Sequence, residues 1–218
     1  MLKPIYTKLF RAFGPQDWWH ADSIFEICVG ITLVQQTTWI NADKAIDNLK
    51  RAEILDIDKI ASVDLASLEQ VIKPAGFYKQ KAKYLQAFAQ YAVDNYRSDL
   101  GIWFGKPKQQ LRQELLRIQG IGPETADSIL LYAADKPIFV VDAYTKRIFY
   151  RLGIIDNENI SYQALQNFVH QHLKTDVRFY NEFHALLVKL GKEFCRTKPE
   201  CENCPLKQKC KFYQGRIK

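Results

Sequence analysis

Four of the five cysteines fall in the last 24 residues, as Cys195-x5-Cys201-x2-Cys204-x5-Cys210. Four thiolates at such compact spacing can hold a 4Fe-4S cluster or an all-thiolate zinc ion. A second stretch with chemical content is "IQGIGPETA", where a helix ends at Ile118 and another starts at Pro123. Gly120 and Gly122 permit positive φ and close backbone approach, and the helix start that follows leaves N–H groups facing outward. Together they can take an anion such as phosphate; the same residues also suit a plain helix–turn–helix corner. The third is Asp142, at the end of the apolar run 137–141. Asp is a favoured N-cap, and a capping carboxylate is held ionised by backbone N–H groups and the helix dipole. A fixed anion of that kind can also stabilise a developing cation, so capping and catalysis are compatible roles.

Helices must position these groups. Helical spacing or end signals mark 25–37, 41–52 with a capping Asn41, 64–72 from Asp64, 78–96, 108–118, 123–135, 143–153, 162–173 and 179–194. The only β-like run, "PIFVV" at 137–141, has no partner strand. The predicted class is all-α. No Pro/Gly/Ser-rich linker marks a domain boundary.

The 218 residues are 47% hydrophobic, which suits a globular chain with a proper core. Lys and Arg total 31 against 24 Asp and Glu, a net charge of +7, which fits an anionic partner or a soluble surface with a basic bias. Apolar runs such as Ile27–Val34 are too short for a bilayer, so no membrane partner is expected. The start "MLKPIYTKLFRAF" has one apolar patch broken by Lys and Arg and no cleavage site, which predicts a cytoplasmic protein. In a reduced compartment, clustered cysteines point to a metal rather than disulfides. Cys28, in an apolar helical run, reads as a small inert hydrophobe.

The segment "LLRIQGIGPETADSILLYAADKPIFVVDAYTKRIFYRLG" resembles the helix–hairpin–helix and Gly/Pro…Asp signature of the endonuclease III superfamily of DNA glycosylases. The likeness extends upstream through "FEICVGITLVQQTTWINADKAIDNL" and "GFYKQKAKYL" and downstream into the cysteine tail, Phe25 to Cys210. Trp18-Trp19 together with "GFYKQKAKYL" is most similar to the 3-methyladenine glycosylase branch.

The resemblance implies a two-domain, all-helical fold. A six-helix domain would span 25–136, with the helix–hairpin–helix at about 108–135. A discontinuous domain would join 1–24 to 137–218 and carry the cysteine loop 195–210. Double-stranded DNA with a damaged base would bind a monomer across the cleft, one nucleotide rotated out. Gly120, Gly122, Thr125 and Lys146 are then expected at the DNA, Gln36 as the intercalating residue and Phe77 as a wedge. Trp18, Trp19 and Trp39 would line the base pocket, where indole faces attract an alkylated, cationic purine. Each has a plainer reading: Phe77 and the tryptophans as packing, Gln36 as a local cap.

Asp142 would face the sugar of the extruded nucleotide, whose charge rises as the N-glycosidic bond breaks. Bifunctional members carry Lys just before the Thr-Ala of the hairpin; here Glu124 stands there, and a carboxylate forms no Schiff base. The expected enzyme is monofunctional and leaves an abasic site. Lys146, one turn beyond Asp142, is the conceivable substitute amine.

The resemblance also favours the 4Fe-4S cluster over zinc, although the first cysteine gap is five residues where the family has six. The basic residues Arg196, Lys198, Lys207, Lys209 and Lys211 on and beside that loop would meet phosphates. The rival functions are a glycosylase for oxidised pyrimidines or mismatched bases, and a non-enzymatic DNA-binding helical protein. A repair enzyme of this kind is expected at the nucleoid.

Overall fold

The structure, a computed structural model, describes residues 2–16, 18 and 21–215. The described residues divide into two compact units, 19–136 and 1–18 with 137–218. Helices are the regular elements of both, in keeping with the all-α expectation. No described helix is long and apolar enough to cross a membrane.

In the continuous unit, α2 (Ile24–Leu33) is central, with eight of its ten residues buried. Each large aliphatic side chain so buried contributes roughly 1.5–3 kcal/mol. Ser23 caps it, accepting from the Glu26 N–H. The sequence pattern extended this helix to residue 37, but it stops at Leu33, and Gln36 adopts left-handed backbone with φ 53°. The cap of α3 (Trp39–Arg51) is Thr38 rather than Asn41, which instead donates its N–H to Thr38. Two short helices that periodicity missed follow, α4 (Ile57–Ser62) and, after α5 (Leu65–Val71) and α6 (Tyr78–Tyr96), α7 (Leu100–Phe104). At five or six residues they are too brief for a 3.6-residue pattern, and their Asp56 and Asp99 caps are the available signals. Trp103 of α7 is fully buried and donates its indole N–H to Glu114 of α8 (Lys108–Leu115), 3.0 Å away. After the glycine turn, α9 (Pro123–Ser128) widens into a π-helical turn over Ile129–Ala133 rather than continuing as one α-helix.

The second unit contains a helix the sequence reading did not see as one. The apolar patch at the start of the chain is α1 (Leu2–Phe13), whose buried Leu2, Ile5 and Leu9 recur at helical spacing. Pro4 is compatible with it because the first turn needs no N–H donor there. α1 and α10 (Ala143–Leu152) each pack against α12 (Val177–Glu193). α11 (Tyr162–His172), capped by Ser161, completes the unit's longer helices.

Candidate active site

Residues 137–141 form neither strand nor helix. Ile138, Phe139, Val140 and Val141 are all buried, so their backbone needs partners. Side chains from α11 provide them for Phe139: its N–H donates to His170 Nε2 at 3.0 Å, and Gln166 Nε2 donates to its carbonyl at 2.7 Å. This pinned segment ends on Asp142, the N-cap of α10. Oδ1 of Asp142 accepts both the Thr145 N–H (2.7 Å) and the Thr145 hydroxyl (2.8 Å). Oδ2 faces His184 Nε2 at 3.6 Å, too long for a strong direct hydrogen bond. Burial pushes the Asp142 pKa up, but His184 and the Thr145 donors outweigh it and hold the carboxyl below its ordinary value. The side chain stays 12% exposed.

Trp18 lies 6.1 Å, centroid to centroid, from His184, and the Lys192 ammonium stands 5.7 Å over the Trp18 ring. Desolvation lowers the Lys192 pKa, while the Asp142 charge partly restores it. Asp142, His184, Lys192 and Trp18 therefore form one group within the second unit. Sequence reasoning missed His184 and Lys192; the available signal was a histidine inside the buried run Phe183–Val188. Trp19 lies outside the described residues. Trp39, half-buried at the first position of α3, belongs to the continuous unit. Lys146, on the first turn of α10, is half-buried.

The hairpin explains its two glycines differently. Gly120 has φ +87°, and an added Cβ would lie 2.0–2.4 Å from the Tyr84 ring of α6. Both the conformation and the close approach demand glycine. Gly122 is extended backbone, φ −87°, and a Cβ there would meet open space. It leaves the start of α9 accessible. Thr125 turns inward, buried, and accepts from Gln35 Nε2 at 2.8 Å. Its side chain fastens the hairpin to the turn carrying Gln36. Beneath the hairpin, Arg112 Nε donates to the fully buried Asp127 at 2.6 Å.

Gln36 and Phe77 are both exposed, and both are non-glycine residues with positive φ, 53° and 46°. Phe77 is 65% exposed. An aromatic residue held left-handed and in solvent is not packing the core, and such backbone costs on the order of 1–3 kcal/mol.

The four tail cysteines, all free thiols, surround one cavity with about 290 Å³ of empty space, part of it open to solvent. Burial raises the Cys201 and Cys204 pKa values, and the neighbouring cysteines add to the rise. A bound cationic centre would relieve both effects, so the donor set fits a metal group. Among the described residues, no three His, Cys, Asp or Glu side chains converge on a single metal-ion position. Arg151 of α10, unremarked in the sequence, anchors the loop. It donates to the Arg196 carbonyl (2.6 Å) and Cys195 Sγ (3.4 Å), and its own carbonyl accepts from the Phe212 N–H (3.0 Å). Arg196 pairs with Glu200 at 3.2 Å, and Lys207 bonds the Glu202 carbonyl, so these two cations are partly engaged by the loop itself. Cys28 is buried and its thiol pKa is pushed up, as an inert hydrophobe requires.

The sequence matches the HhH-GPD superfamily base excision DNA repair protein family over residues 29–174. It is 46% identical over 211 residues, 96% of each chain, to a provisionally named DNA repair glycosylase of Methanocaldococcus jannaschii. It is 28% identical to endonuclease III of Thermotoga maritima, covering 100% of this chain and 96% of that one. Among solved structures, the H. pylori 3-methyladenine DNA glycosylase bound to 1,N6-ethenoadenine aligns with TM-score 0.76 and 28% identity, over 87% of this chain and 96% of that one. A non-covalent endonuclease III–DNA complex aligns with TM-score 0.84 at 22% identity, over 99% and 96%, a likeness of fold. With a family match over most of its length and a relative 46% identical across nearly all of it, the chain belongs to the HhH-GPD superfamily of base excision DNA repair proteins, as a DNA glycosylase of that family.

Proposed function

We propose that this chain is a monofunctional glycosylase that hydrolyses the N-glycosidic bond of a flipped-out alkylated purine such as 3-methyladenine. The observation that carries the reading is Asp142, a carboxylate kept ionised with one oxygen committed to Thr145 and the other towards His184, 3.6 Å away. As the C1′–N bond breaks, its electron pair leaves with the base and positive charge grows on the sugar. Asp142 stabilises that charge. Water then adds to C1′ and loses a proton, for which Asp142 Oδ2 is the acceptor. The products are the free base and an abasic site.

Glu124 at the position where bifunctional relatives carry lysine supports hydrolysis without strand cleavage. Lys192 is the amine that could overturn this, since its lowered pKa and its place beside Asp142 suit a nucleophile. Borohydride trapping on damaged duplex is the test: the expected result is no efficient covalent adduct, and an adduct lost in Lys192→Ala would make the enzyme bifunctional. Asp142→Asn is expected to abolish base release by orders of magnitude while DNA binding persists. Release at full rate would leave Asp142 a cap only.

Gly120, Gly122 and the start of α9 are proposed to hold a DNA phosphate, with Gln36 and Phe77 entering the stack. Trp18, Trp19 and Trp39 are proposed as pocket walls. The four cysteines are proposed to bind a 4Fe-4S cluster, whose iron–thiolate bonds would close the loop and fix its basic residues towards DNA.

One observation favours a second substrate class. The Lys192 ammonium already stands over the Trp18 ring, where a cationic alkylpurine would sit. A neutral lesion, an oxidised pyrimidine or a mismatched base, avoids that repulsion. Base release from duplexes carrying 3-methyladenine, thymine glycol or a mismatched base decides between them.

A further inference from the structure

Lys81 of α6 is 3% exposed, and its Nζ donates to two backbone carbonyls at 2.8 Å each, those of Leu33 and Ala75. Burial of this kind is expensive for an ammonium, and it lowers the Lys81 pKa to about 8. The two acceptors are not arbitrary. Leu33 is the last residue of α2, three residues before Gln36. Ala75 closes the 3-10 turn Lys73–Ala75, two residues before Phe77. Between acceptor and tip, each segment turns through left-handed backbone: Gln36 itself at φ 53°, Gly76 at 66° and Phe77 at 46°. The two exposed tips thus stand on loops whose bases meet at one cation. The cation also sits at the C-terminus of α2, where the helix dipole favours it.

We propose that Lys81 is a positioning residue that couples the Gln36 and Phe77 turns, so that the two tips enter the DNA stack as one unit. This rests on the glycosylase reading above for the role of those tips. A lysine kept only for stability could face a carboxylate or solvent. This one instead spends its donors on the roots of the two segments proposed to probe the duplex. The part-buried Gln35–Thr125 bond ties the same Gln36 turn to the hairpin, so the proposed DNA-contacting segments of this unit are joined through that bond and the buried Lys81 ammonium.

The test compares the full-length wild type with Lys81→Met, which keeps the apolar stem and removes the donors, and Lys81→Arg, which keeps a charge. Single-turnover base release is measured on a lesion in duplex and on the same lesion in single-stranded DNA, where no stack has to be entered. Insertion is read separately by the fluorescence of 2-aminopurine beside an abasic site. The expected result for Lys81→Met is a duplex-specific loss on the order of 100-fold with a weakened fluorescence rise. Single-stranded release should hold within about threefold, and Lys81→Arg should recover part of the loss. Equal losses on both substrates, or none, overturn the proposal. Should Lys81→Met fail to fold, hydrogen exchange of segments 34–38 and 73–78 in the wild type and Lys81→Arg, with and without abasic duplex, carries the test. Protection that changes together in both segments supports coupling, and a change in one alone overturns it. A wild type that releases no base from any lesion defeats the glycosylase reading, while the fluorescence and exchange still judge Lys81.

Discussion

Asp142 and Thr145 are bound twice over: one carboxylate oxygen takes both the backbone N–H and the hydroxyl of the residue three positions on, at 2.7 and 2.8 Å. The carboxylate cannot rotate without losing both bonds, so its second oxygen keeps a fixed direction towards His184. Because the folded pKa is depressed, the stabilisation is fully present above the ordinary carboxylate pKa of about 3.9 and is lost as pH falls through the folded value. Thr145→Val removes the hydroxyl donor from a fully buried site. We expect it to cost about 1.5–3 kcal/mol at pH 7, as for a hydrogen bond to a charged group. Urea melts should show that gap narrowing near pH 3, and the acid limb of base release should move to higher pH. A gap that stays constant with pH would mean that the hydroxyl does not act on the carboxylate.

The hairpin glycines should separate cleanly. Gly120→Ala forces a side chain into the Tyr84 ring and into left-handed backbone, and thermal melts should show a loss of at least about 1–3 kcal/mol. Gly122→Ala projects into open space and should leave stability within about 0.5 kcal/mol. Its effect should appear in DNA titrations as weaker binding. Normal binding by Gly122→Ala would remove this backbone from the interface.

Arg112 and Asp127 form an ion pair in which the carboxylate is fully buried. Arg112→Ala leaves that charge without its guanidinium, and denaturant melts should show a loss of about 3–5 kcal/mol. Replacing both residues with apolar ones of similar volume should recover much of it. If the single and double variants are equally unstable, the arginine contributes packing rather than charge.

For the tail, Cys204→Ser should abolish bound iron and the broad visible absorption expected of the purified wild type. DNA affinity should fall, and the log–log salt dependence of binding should become shallower as positioned cations are lost. Metal analysis that finds zinc and no iron would assign the four thiols to a single ion instead.

The separately spaced motifs were legible in the chain itself. An aspartate before a helical pattern states its own capping role, because the bonds it makes are to residues within one turn. The cysteine spacing and the glycine turn are equally local, and the lack of a partner for residues 137–141 spoke against a sheet. Helix ends were less legible: α2 stops at Leu33 although no glycine or proline follows within residues 34–37, and the features found there are a left-handed Gln36 and a cation from another helix. What tertiary structure alone decided were the polar partnerships across long separations. Lys81 reaches a carbonyl 48 residues away, Arg151 a thiol 44 away, and Oδ2 of Asp142 meets a histidine of α12. No periodicity encodes which buried polar group meets which, since that depends on how the helices pack once apolar faces are covered. The sequence determined the chemistry available; packing decided which carboxylate oxygen, which amine and which loop roots were brought into reach.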